Sequence, residues 1–161
     1  MIPHGVDIAE LSEQLAEDRL AIGPHAEFGR VQEPQLLDAV STISEGAAGQ
    51  DIGIALVDIP VDKAADLRDL AQELQIETGI ETVIVRTPSG GAAVSENYSR
   101  ASLEAAESAF ADVPTNVGLV QFMDELSHPL VSWPIFAATC ALVMFVALTI
   151  SWLLVTKSLR N

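Results

Sequence analysis

The chain is poor in the residues from which most protein chemistry is built. It has one cysteine, Cys140, and three histidines, His4, His25 and His128, set far apart. A single thiol excludes an intramolecular disulfide and a cysteine-based metal cluster. Histidines without H-x-x-x-H spacing offer no ready imidazole site. Cationic residues are scarce too: 8 Lys and Arg stand against 23 Asp and Glu, for a formal charge of −15. Phosphates and anionic surfaces are repelled by such a balance, so nucleic acid is excluded as a partner. What remains is a cationic partner or surface, or a plain solvated acidic face. No G-x-S-x-G nucleophile elbow occurs, and Ser89-Gly90-Gly91 lacks the G-K-[ST] ending of a phosphate-binding loop. No cofactor is expected. The opening segment, MIPHGVDIAELSEQL, lacks the basic and apolar regions of a signal peptide.

Against these absences stands one long apolar run, Trp133 to Val155, with 23 residues and no Asp, Glu, Lys, Arg or His. As a helix it would reach roughly 34 Å, enough to cross a hydrocarbon core of about 30 Å. Trp133 and Trp152 lie near its ends, where indole rings favour the two interfaces. A transmembrane helix over 130–156 is therefore expected, serving as both targeting signal and anchor. Asp124 and Glu125 precede it, and Lys157 and Arg160 follow. The positive-inside rule then places the tail 157–161 in the cytoplasm and the N-terminal domain outside a plasma membrane. Within the run, Ala137 with Ala141 and Ala147 with Ser151 have small-xxx-small spacing, which permits close helix approach.

Ahead of the run, the patterning predicts alternating helices and strands. Asp7 and Glu10 form a capping box for a helix from Ile8 to about Asp18. Arg19–Ile22 reads as a short edge strand, and Gly23–Gln32 as a loop. Pro34 fits the first turn of a second helix, with Leu36, Leu37, Val40 and Ile43 inward. Ile52–Ile59 is nearly all apolar, the signature of a central strand covered on both faces. A third helix carries Leu67, Leu70 and Leu74 and stops at Gly79. Glu81–Arg86 is a strand, Pro88–Gly91 a glycine-dependent hairpin turn, and Ala92–Ser95 the returning strand. Ser99 opens a fourth helix with Leu103, Ala106 and Phe110 inward, and Val117–Leu126 forms a short amphipathic helix against the membrane or the domain. The expected fold class is α/β: a small mixed β-sheet flanked by helices, plus one C-terminal transmembrane helix. The expected divisions are a soluble domain over 1–113, a juxtamembrane linker over 114–129, the span and the tail.

Asp58 is the sharpest polar feature, an acid near the carboxyl end of an apolar strand. Ligands of open α/β sheets bind outside such ends. With Asp62 it could hold Ca²⁺ or Mg²⁺ through oxygen ligands. The alternative is that Asp58 faces solvent and Asp62 only caps its helix. Arg86 and Arg100 either meet an acidic partner or answer nearby carboxylates.

The segments IPHGVDIAEL at 2–11, VRTPSGGAAVS at 85–95 and SRASLEAAE at 99–107, with the C-terminal anchor, carry a resemblance across nearly the whole chain. They resemble a family of small actinobacterial single-span membrane proteins. The element order of the soluble part is also similar to that of the TPM domain, a membrane-tethered α/β domain. TPM relatives include phosphatases, Ca²⁺ binders and assembly or regulatory proteins. The actinobacterial family is associated with secreted NlpC/P60 peptidoglycan endopeptidases of the RipA type. The resemblance thus implies a non-enzymatic membrane-anchored domain that binds and regulates such a hydrolase, or its regulator, in cell division and separation. Two alternatives stay open: a metal-dependent phosphatase-like enzyme, and a structural membrane scaffold.

Overall fold

The computed structural model describes residues 5–45, 50–59, 64–111, 113–127, 138–146 and 149. Two compact units divide the chain, Met1–His128 and Pro129–Asn161.

The first unit is a three-layer α/β/α sandwich. Its elements are α1 (Ile8–Asp18), β1 (Leu20–Ile22), α2 (Glu27–Glu45), β2 (Ile52–Leu56), α3 (Ala64–Thr78), β3 (Thr82–Thr87), β4 (Gly90–Ser95), α4 (Arg100–Ala106), a 3₁₀ turn (Glu107–Phe110) and α5 (Thr115–Ser127). The strands lie in sequence order, β1-β2-β3-β4. β1 and β3 run parallel to β2, with Leu20 opposite Ile54 and Ile54 opposite Ile84, and β4 returns antiparallel to β3. The mixed sheet is the one expected from the sequence.

All five residues of β2 are buried. Side-chain alternation sends Ile52, Ile54 and Leu56 to one face, where Leu36, Val40, Leu103, Phe110, Leu119 and Phe122 pack. Ala55 and Val57 point to the other face, with Leu11 and Leu15 of α1 and Leu67, Leu70 and Leu74 of α3. Thus α1 and α3 cover one face, and α2, α4 and α5 the other. This arrangement constrains handedness. The crossovers β1-α2-β2 and β2-α3-β3 step across the sheet in one direction, yet their helices lie on opposite faces. The two are therefore of opposite hand, and one departs from the right-handed rule.

Local signals explain the element ends. The Asp7 carboxylate accepts from Glu10 N–H at 3.1 Å and caps α1. At the other end Arg19 takes the left-handed conformation, φ 60°, and its N–H donates to Leu15 O at 3.0 Å. Its Nε is held by Asp51 at 2.8 Å. Gly79, at φ +69°, closes α3 with its N–H on Gln75 O.

Several expectations are corrected. α2 begins at Glu27, within the segment read as loop, and Pro34 lies inside it rather than in its first turn. Gly29 is there for closeness, since a Cβ would stand 2.5 Å from Leu56 Cδ1. β2 stops at Leu56, short of Ile59. The hairpin turns on Pro88 and Ser89 alone. Gly90 and Gly91 lie in β4, and neither has positive φ, so the glycines do not supply a left-handed turn. The segment 114–129, expected as a linker with a short helix over Val117–Leu126, does contain that helix as α5, but it places Leu119, Phe122 and Leu126 in the core, so the compact unit runs to His128 rather than to 113.

In the second unit residues 138–146 are helical, and Leu142, Val143, Met144, Phe145 and Val146 are exposed. Among the described residues no helix is long and apolar enough to cross a membrane. Residues 130–137, 147–148 and 150–156 of the expected span lie outside the described residues.

Phe122 is fully buried and stacks at 5.4 Å on Phe110. Phe122→Ala should cost about 3–5 kcal/mol of stability in urea unfolding. A loss below about 1 kcal/mol would mean that α5 is not part of the core.

Candidate functional site

The carboxyl ends of the parallel strands are where an α/β sheet offers a ligand site. Here Gly23-Pro24-His25 follows β1 and Val57-Asp58-Ile59 follows β2, while Val6, Asp7 and Glu10 come from the start of α1. The Gly23 N–H donates to Leu56 O at 2.8 Å, and the Val57 N–H to Arg86 O at 2.9 Å, so the two turns are held on the strand ends. Between them lies a cleft of about 20 Å³. That volume holds about one water.

Asp58 opens onto this cleft and is exposed, as is His25. Asp62, its expected companion for a cation, lies outside the described residues. Among the described residues no three His, Cys, Asp or Glu side chains converge as a metal would require. The sequence therefore located the carboxyl-end cleft through Asp58. It gave no sign of His25 joining it, because the two are separated by a whole crossover in the chain.

A second cleft, about 260 Å³, sits beside the hairpin and is lined by Arg86, Ser89, Gly91, Glu107 and Phe110. Among the described residues Arg86 forms no ion pair with a carboxylate. Its Nη2 donates to Phe110 O at 2.8 Å, and the guanidinium lies 5.4 Å from the Phe110 ring centre. Burial lowers its pKa below the usual guanidinium value. Arg100 does answer one, through Nε to Glu104 at 2.8 Å. Arg68 reaches the same Glu104 at 3.1 Å and Glu107 at 3.9 Å. Glu107 accepts from Ala93 N–H at 3.1 Å, so it caps the outer edge of β4.

These elements define a class: a doubly covered, mixed four-stranded α/β domain joined to a strongly apolar C-terminal segment. The family model described as Membrane protein Rv1476 matches residues 1–161, and the chain belongs to that family. It is a membrane protein. No curated protein and no solved structure matches the chain.

Burial raises the Glu107 carboxyl pKa above its ordinary value, against the Ala93 N–H and Arg68, which lower it. The folded state then holds this proton more tightly than the unfolded chain does. Glu107 contributes stability that is present below the unfolded pKa and lost as pH rises through the raised folded value. Glu107→Gln keeps an amide oxygen for Ala93 N–H and removes the titration. The urea midpoint of the variant minus that of wild type should grow as pH rises from below the ordinary glutamate pKa through the raised folded value. A constant difference would show an unperturbed carboxyl.

Proposed function

We propose that the protein is a non-enzymatic, single-pass, membrane-anchored interaction domain of TPM-like type. It faces the wall space and binds and regulates a secreted NlpC/P60 peptidoglycan endopeptidase or that enzyme's regulator. The observation that carries the interaction reading is the form of the carboxyl-end cleft. It holds about 20 Å³, and the side chains there that could do chemistry, Asp58 and His25, are exposed rather than enclosed. A site of that shape suits contact with a macromolecular surface better than capture of a metabolite, which ordinarily takes a pocket of roughly 300–1,000 Å³. The hydrolase as partner rests on the resemblance carried by the segments at 2–11, 85–95 and 99–107.

Two features support the membrane arrangement. Five consecutive large apolar side chains, Leu142–Val146, are 46–67% exposed, a surface that water does not stabilise. The charge step from Asp124 and Glu125 to Lys157 and Arg160 favours an inside tail and an outside domain. A membrane potential negative inside, about 2.3 kcal/mol per charge per 100 mV for a full crossing, also draws an acidic domain outward.

The full-length protein in non-ionic detergent should bind the endopeptidase and change its rate of muropeptide release, and deletion should leave daughter cells joined. Absence of both binding and a separation defect would overturn the reading. Hydrolysis of a phosphate ester that is lost in Asp58→Asn would replace it with the enzyme alternative.

Orientation has its own test. Protease added to intact, wall-stripped cells should remove the domain and leave a small anchored fragment. Digestion only after permeabilisation would place the domain inside and remove wall hydrolases as direct partners.

A further inference from the structure

The sheet has two edges, and the chain treats them differently. On β4 the N–H of Ala93 is taken by the Glu107 carboxylate, and α4 with the following 3₁₀ turn packs against the strand. On β1 the ladder to β2 uses Arg19 C=O, which accepts from Ile54 N–H at 2.9 Å, and Gly23 N–H, which donates to Leu56 O at 2.8 Å. Backbone groups alternate in direction along a strand, so those of Leu20 and Ile22 point away from β2. Ile22 N–H fixes this direction, because it donates to Gln14 Oε1 at 2.8 Å. Leu20 N–H, Leu20 C=O and Ile22 C=O meet no partner on that side among the described residues.

Two adjoining clefts run along this edge. One, of about 250 Å³, lies over β1 between α1 and α2, and its apolar wall is Leu20, Ile22 and Leu37. The other, of about 610 Å³, shares Glu17, Asp18 and Leu37 with the first and continues along α2 past Asp38 and Val40. Apolar side chains thus line the groove and acids rim it. The two arginines beside it are already engaged, Arg19 with Asp51 at 2.8 Å and Arg30 with Glu27 at 3.2 Å. The rim acids Glu17, Asp18, Glu33 and Asp38 form no salt bridge among the described residues.

We propose that the β1 edge is a strand-addition groove for an extended, basic peptide segment of a partner protein. The partner's backbone pairs with Leu20 and Ile22. Alternate side chains rest on the Leu37 wall, and the intervening lysines or arginines meet the acidic rim. The Gln14 carboxamide oxygen occupies the place of the incoming strand's carbonyl, as a neutral stand-in on a flexible side chain. A second copy of this chain does not fit, since edge-to-edge pairing would press two acidic rims together. Anionic lipid and nucleic acid are repelled by the same acids. The inference rests on the interaction reading above for the partner being a protein, and adds the surface and its chemistry.

The test uses the full-length chain in non-ionic detergent and amide hydrogen exchange resolved at single residues. In the free protein Leu20 should exchange faster than its ladder-bonded neighbour Ala21. Equal protection would mean a covered edge and would overturn the proposal. Adding a capped (Val-Lys)₄ peptide should slow Leu20 exchange by about tenfold or more. The same peptide with alternate backbone nitrogens methylated should not, because it cannot pair. Glu17→Lys with Asp38→Lys, both at exposed positions, should abolish the effect without lowering the urea midpoint. No protection of Leu20, equal protection by the methylated peptide, or protection that survives the charge reversal would each overturn the groove. The two proposals fail separately. An endopeptidase that still binds the charge-reversed protein sinks the groove alone. Peptide pairing at Leu20 without endopeptidase binding sinks the hydrolase reading alone.

Discussion

Burial of β2 on both faces governs the rest of this domain. A strand with Ile52, Ile54 and Leu56 on one side and Ala55 and Val57 on the other has no surface to give to water. Both faces must therefore be roofed by helices. α1 reaches β1 through the single left-handed residue Arg19 and settles at once on the Ala55 face. That side of β1 and β2 is then taken, and α2 has to cross on the Ile54 face. α3 then returns to the Ala55 face beside α1, and the two crossovers are of opposite hand.

The sequence was most informative where period and punctuation agree. The Asp7 cap, the apolar run at 52–56, the glycine at 79 and the Ser99 cap each mark a boundary that the fold uses. It misled where a residue known for breaking structure was present for packing. Gly29 and Pro34 read as loop and helix start, yet Gly29 lets α2 approach Leu56, and Pro34 sits in the interior of α2 at an exposed position. The glycines at 90 and 91 read as turn residues, although Gly91 is in a strand where a Cβ would stand 3.0 Å from Val85 O. The helix over Val117–Leu126 was legible, but its place in the core was not, because its inward residues serve a core assembled from distant segments. Asp58 was legible as a polar residue at a strand end. The β1 groove was not, since hydropathy reports which residues are buried and is silent about which strand lies at an edge.

Charge and shape act together on this surface. Acids outnumber bases almost threefold, and the described arginines each engage specific partners. Arg19 ties the end of α1 to the residue before β2, Arg68 and Arg100 gather Glu104, and Arg86 braces the 3₁₀ turn through Phe110 O. Arg19, Arg68 and Arg86 thus fasten elements to one another, and much of the acidity is left facing outward.

The position of α5 bears on how such a chain is made. Leu119, Phe122 and Leu126 complete the core, yet they are the last residues of the domain to be synthesised. The face of the sheet they cover stays open until that helix has left the ribosome, and by then the apolar run that begins at Trp133 is itself being extended. A nascent chain in this condition cannot lock into its native sandwich before much of the apolar run has been made. Late completion of the core therefore couples the closing of the sandwich to synthesis of the apolar run that follows it.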